Sequence, residues 1–216
     1  VASAETADRI VKSALDLAAE RGWRTLTLLD IAERAGIPLD ALYANFPSKS
    51  AILHGIGGMV DRTVLAGGPA DPEEPPRDRL FEIMMRRFDT LAAHREGVLA
   101  ILREMRMEPL TVLAHLPSLA VSMRWMLEAA ALPTTGLLGE ARVRGLGLVY
   151  VLVLRVWMTD ESPDMATTMR ELDSRLRQAE QLANTFDRIP TPGARREPPP
   201  PPESPLEPDV ASGPMG

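Results

Sequence analysis

A chain of 216 residues is long enough for one sizeable core or two small ones. It has no cysteine, which excludes disulfides, thiolate metal sites and cysteine nucleophiles and fits a reducing cytoplasm. The net charge of −6 lacks the basic excess usual in a nucleic-acid binder. Residues 1–53 carry six Lys or Arg against seven acids, a local charge of only −1.

The first segment, "VASAETADRIVKSALDLAAERG", has helical periodicity and mixed charge, without the long apolar stretch of a signal peptide. Ile10, Ala14, Leu17 and Ala18 share one face, and Gly22 is a good stop. A short helix is expected from Thr27, where Thr27-Leu28-Leu29-Asp30 has capping-box form, to Gly36. A third covers about 39–46 and a fourth runs from Ser48 to about Ala66. "GGPADPEEPPR", 67–77, reads as a loop. Leu80, Ile83, Met84, Phe88 and Leu91 then mark a helix over about 78–94, and another covers about 96–107. Pro109 and Pro117 are expected to break the next stretch before helix resumes at 118–132. Residues 139–158 read as a helix with apolar residues on nearly every side of its second half. Ser162-Pro163-Asp164 reads as the start of a last helix ending near 188.

Strand alternation is absent, so the fold class is all-α. The longest apolar run, 145–154, stops at Arg155, well short of the roughly 20 residues that span a bilayer, so no stable membrane insertion is expected. From residue 190 the composition changes: ten of the twenty prolines lie there, and the segment reads as a tail with nothing to pack. The organisation expected is a helix-turn-helix module over 1–53, a helical ligand-binding and dimerisation domain over 54–189, and a Pro-rich tail over 190–216.

Residues 27–53 carry the chemistry. Two short helices flank a tight turn at Gly36, and Ala32 and Ala35 are small enough for close crossing. Tyr43 and Lys49 stand where they reach backbone phosphates, and Lys49 lies against the positive pole of its helix, a placement an anion there would relieve. The second short helix, "PLDALYANF", has no Arg or Lys; its exposed candidates are Leu39, Asp40, Ala44 and Asn45. Asp accepts from cytosine N4 and Asn pairs with adenine, so base readout is available, with two copies needed for strong binding.

The run "TLTLLDIAERAGIPLDALYANFPSKSAIL", within residues 7–55, resembles the N-terminal DNA-binding region of TetR-type transcriptional regulators: DIA, AG plus an aliphatic, LY, F, SK and the final leucine occur in order without gaps. The resemblance implies that Thr27, Tyr43 and Lys49 touch phosphate and that the third helix enters the major groove of operator double-stranded DNA. It also implies a homodimer without enzymatic activity, released by a small apolar effector that shifts the spacing of the recognition helices. A second stretch, "DESPDMATTMRELDSRLRQAE", 160–180, resembles the C-terminal region of ubiquinone-biosynthesis accessory proteins, which keep this fold but bind lipid; the similarity extends weakly back to about residue 78. It rests on Asp160, Ser162, Pro163, Asp164, Thr168, Arg170, Leu172 and Arg175, and makes a lipid-binding accessory role the alternative.

The three histidines, His54, His94 and His115, lie far apart in sequence without ligand spacing, so no metal, cofactor or catalytic residue is assigned. Methionine packs adaptably, so Met84, Phe88, Met105, Met123, Trp125 and Met126 read either as ordinary core or as the candidate lining of a pocket for an apolar or lipid-like ligand. Arg142, Arg144 and Arg155 could reach an acidic ligand group, though they read first as solvated or interfacial.

Overall fold

The computed structural model describes residues 4–107 and 109–187, and the expected tail at 190–216 lies outside them. The described residues form helices α1 (Ala4–Arg21), α2 (Leu28–Ala35), α3 (Leu39–Asn45), α4 (Lys49–Ala66), α5 (Pro76–Ala92), α6 (Arg95–Met105), α7 (Pro109–Ala129), α8 (Gly136–Trp157) and α9 (Ala166–Asp187), with no strand among them. The all-α class is as the periodicity requires.

The first turns form where local chemistry demands. Gly22 ends α1 at φ 80° and Gly36 ends α2 at φ 62°, left-handed conformations that cost a glycine little. The Thr27 capping box is present: the Thr27 hydroxyl accepts the Asp30 N–H (3.1 Å), and the Asp30 carboxylate accepts the Thr27 N–H (2.8 Å) and hydroxyl (2.5 Å). Those bonds hold the Asp30 carboxyl below its ordinary range. Ile10, Ala14, Leu17, Ile31, Leu42 and Ile52 close the core of this module.

The boundary expected at residue 53 falls inside α4, one continuous helix. Its start packs on α1 and its later turns pack on α5 and α7, so it belongs to both units. α6 lies along α1 at close range: a side chain at Gly97 would collide with the Leu15 backbone carbonyl. α7, α8 and α9 pack in sequence, with α5 against α9. Phe88, Met84, Met123, Met126 and Trp157 form the buried centre of this second unit.

Two helix boundaries differ from expectation. α7 runs unbroken from Pro109 through Pro117. Pro109 begins the helix, where a missing N–H costs nothing. Pro117 is exposed, and beside it the Ser118 hydroxyl donates to the His115 carbonyl (2.8 Å), while Ser122, Met123 and Met126 anchor the following turns in the core. Tertiary burial outweighs the local proline penalty. α9 begins at Ala166 instead of 163 because Asp160, rather than Ser162, organises its entry. The buried Asp160 carboxylate accepts the N–H and hydroxyl of Ser162 (3.1 and 2.5 Å) and those of Thr168 (2.8 and 2.7 Å). Burial alone would raise its pKa; these four bonds outweigh it and hold the group far below the ordinary carboxylate range. The bracket also holds Met165 at φ 54°, a strained conformation for a side-chain-bearing residue.

Candidate functional site

The surface of the helix-turn-helix follows from what its core withdraws. Leu42 is fully buried, so the remaining faces of α3 point outward: Leu39 is 49% and Tyr43 69% exposed, Asp40 and Ala44 are exposed, and Asn45 is half-buried. This exposed α3 surface is short, and an exposed helix after a tight turn has the dimensions of a major-groove reader. The Asn45 amide donates to the Ala41 carbonyl one turn back (2.7 Å), so pairing with a base edge would replace that bond. Thr27 is exposed at the start of α2, with its hydroxyl committed to Asp30. Neighbouring cations are largely tied up within the module. Arg34 forms a forked pair with Glu20 (2.8 and 2.6 Å), and Arg21 reaches Asp30 at 3.4 Å.

Lys49 departs from expectation. Its ammonium is turned inward, donating to the carbonyls of Trp23 (2.5 Å) and Leu26 (2.9 Å), with Arg24 at 3.5 Å, and it lies 4.7 Å over the Trp23 ring. These carbonyls belong to the turn that leaves α1. The lysine at the positive pole of α4 is therefore met by backbone oxygens and an aromatic face. In this conformation Lys49 is an internal bracket tying α4 to the α1–α2 connection, where the sequence led us to expect a phosphate ligand.

The second site is a cleft of about 760 Å³ between α4, α6, α7 and α8, within the range of small-molecule sites. It joins a narrower apolar chamber of about 160 Å³ reaching Leu91, Val98 and Ile101. Of the six residues expected to line a pocket, only Met105 does. Met84, Phe88, Met123 and Met126 are fully buried packing residues, and Trp125 is 53% exposed. Their methionines fill the core tightly, which is the commoner use of that side chain.

The cleft instead holds polar groups that periodicity passed over. Arg87, its side chain only 5% exposed, pairs with Asp61, whose other oxygen accepts the Ser122 hydroxyl (2.5 Å). The guanidinium lies 5.0 Å over the Tyr150 ring, and its Nε has no hydrogen-bond partner. His54 and His115 stack with centroids 4.3 Å apart, and burial followed by proximity to His115 pushes the His54 pKa down. A sequence signal did exist: Ile83, Met84, Arg87, Phe88 and Leu91 share one helical face, and a charge in an apolar slot requires a buried counter-charge. Among the described residues no group of three His, Asp or Glu could hold a metal ion, and no helix is long and apolar enough to cross a membrane.

The cleft and the helix-turn-helix share their walls. Leu53, His54, Gly57 and Asp61 of α4 and Leu102 and Met105 of α6 line the cavity. One turn away, the Glu104 carboxylate accepts the Arg24 N–H at the α1–α2 turn (2.5 Å). The residues carrying the second resemblance receive structural roles here: Asp160, Ser162 and Thr168 form the entry to α9, and Leu172 is buried beneath it.

Comparison with known proteins agrees with this geometry. Residues 10–56 match the model of the tetR family of bacterial regulatory proteins. An uncharacterized HTH-type transcriptional regulator of Bacillus subtilis, YerO, is 28% identical over 110 residues, 46% of this chain and 36% of its own length. The chain thus matches little more than a third of that relative. Among solved structures, a TetR transcriptional regulator from Nitrosomonas europaea superimposes with TM-score 0.64 at 24% identity, covering 81% of this chain and 98% of the other. A TetR regulator from Rhodococcus sp. RHA1 gives 0.57 at 21% identity, over 82% and 97%. NalD of Pseudomonas aeruginosa, described as the secondary repressor of the MexAB-OprM multidrug efflux pump, gives 0.51 at 17% identity, over 81% and 97%. At these identities the likeness is one of fold.

Proposed function

For a chain that belongs, through its N-terminal domain, to the tetR family of bacterial regulatory proteins, we propose the role of a dimeric, non-enzymatic repressor. It grips operator DNA through α2 and α3 and releases it when a small effector enters the cleft between α4 and α8. The observation that carries this reading is the exposed face of α3, held rigidly by a capped α2, a glycine turn and the buried Leu42.

In this reading Leu39, Asp40, Ala44 and Asn45 face base edges, while Tyr43 and the start of α2 at Thr27 meet phosphate. With no cation on α3, affinity comes from two copies bound to successive major grooves, about 34 Å apart. The free face of α8 supports dimerisation. Ala141 and Gly145 are small enough for close helix approach, and Leu148 (62% exposed) leaves apolar surface uncovered among the described residues.

Release works through shared elements. A ligand that wedges α4 from α6 moves the Lys49 bracket and the Glu104 contact, both of which position the α1–α2 turn. A ligand that favours this second arrangement shifts the population towards a recognition-helix spacing that no longer fits DNA. The test is a titration of labelled DNA from the protein's own upstream region against random duplex, at two salt concentrations. A saturable preference for the upstream DNA supports the reading; its absence at low salt retires it.

A further inference from the structure

The lining of the cleft is not electrically neutral. Among the described residues three arginines face it, Arg87, Arg106 and Arg155, against one carboxylate, Asp61. Arg87 consumes that carboxylate at the buried end. Arg106, just past the end of α6, and Arg155, on α8, are exposed, and neither has an ion-pair partner among the described residues. Arg155, one of three arginines that the sequence left open as either a ligand contact or a solvated side chain, lines the cavity wall. The opposite end is apolar, since the narrow chamber reaches between Leu91, Val98 and Ile101.

Resting on the effector reading above, we propose that this cavity takes an amphiphilic monoanion, with an alkyl or aryl body directed into the apolar chamber and an acidic head group at the Arg106 and Arg155 rim. The polarity follows from the cost of each alternative. A cationic head would meet two guanidiniums without an ion pair among the described residues and find the Asp61 carboxylate already bound to Arg87. A neutral amphiphile gains the apolar burial but leaves the rim charges without an anion. His54 and His115, stacked beside the path, bring no negative charge to it.

Three ten-carbon probes separate these cases at pH 7.5 by displacement of the neutral dye Nile red: decanoate, decanol and decyltrimethylammonium. Gly57 lines both parts of the cavity, and a Cβ there meets nothing within 4 Å. Gly57→Leu therefore projects a side chain into the cavity from a position with room for its Cβ, and should weaken dye binding while leaving the fold intact. In wild type, decanoate should displace the dye at roughly tenfold lower concentration than decanol, with the cation weaker than both. The double substitution Arg106→Gln, Arg155→Gln should bring decanoate to the level of decanol, and the double change of both arginines to Glu should reverse the order of the charged probes. Equal displacement by all three probes, or strongest displacement by the cation, overturns the anion assignment and leaves the cavity standing. A dye that does not bind, or binds Gly57→Leu as well as wild type, overturns the effector cavity and the assignment together.

Discussion

Substituting Lys49 by Met keeps the apolar stem and removes only the ammonium, so it isolates the bracket. Two short hydrogen bonds to the Trp23 and Leu26 carbonyls are lost, together with the cation held 4.7 Å above the Trp23 ring. Hydrogen bonds involving a charged group contribute about 1.5–3 kcal/mol each where buried, and a partly exposed cation–π contact about 0.5–1 kcal/mol. Both carbonyls are only partly buried, so the net loss is set near 2 kcal/mol. For a chain of this size that lowers the melting temperature by roughly 4–8 °C. DNA binding should weaken for every sequence alike, because the α1–α2 turn loosens, yet the slope of log affinity against log salt should not change. A lysine neutralising a phosphate behaves in the opposite way: its loss flattens that slope by about 0.9 for each contact, with little effect on melting. Thermal denaturation of the free protein and DNA titration at three salt concentrations read both quantities. An unchanged melting temperature with a flattened slope would refute the bracket and restore Lys49 as a phosphate ligand.

Removing one member of the buried Asp61–Arg87 pair should cost about 3–5 kcal/mol, whereas the double change Asp61→Leu, Arg87→Met should recover most of it, as read by urea unfolding; additive losses would show that the pair is not coupled. Asp160 makes stability acid-sensitive. Its folded pKa lies below the ordinary 3.8, so its contribution is complete above that value and is lost as pH falls below it, and Asp160→Ala should weaken this acid dependence in melting curves. His54, depressed below 6.5, acts with the same sign at milder pH: stability should start to fall as pH drops through 6.5, and His54→Gln should remove that first step. Arg at Leu148 and Val151 should convert a dimer into monomers or insoluble protein in sedimentation, and an unaltered dimer would move the interface elsewhere.

Features encoded within a few residues were legible from sequence. The Thr27–Asp30 box and the Gly22 and Gly36 stops need only local hydrogen bonds and backbone freedom, and each occurs where expected. Features decided by distant partners were not. Pro117 looks like a breaker until the burial of Met123 and Met126 is known, and Ser162 looks like a cap until Asp160 is seen to hold both it and Thr168. Lys49 poses the same problem in sharper form. Its position against the dipole was a genuine anomaly, but an anion and a set of carbonyls resolve it equally well, and only the tertiary placement of the α1–α2 turn distinguishes them. Methionines fill cores as readily as they line pockets, so Met84, Met123 and Met126 could be read either way, and they are buried in the core. The charge of Arg87 inside an apolar face was the better guide.

The central claim is that α3 reads base pairs in operator DNA, and the most direct measurement is selection of bound sequences from a random duplex pool by wild type and by Asn45→Ala. Wild type should enrich a two-fold symmetric motif, relaxed by Asn45→Ala at particular base pairs by about 1–3 kcal/mol each for a bidentate contact. Tyr43→Phe should lower binding without changing the motif. A pool in which wild type enriches no motif, or one that Asn45→Ala leaves unaltered while Tyr43→Phe rewrites it, would contradict the account.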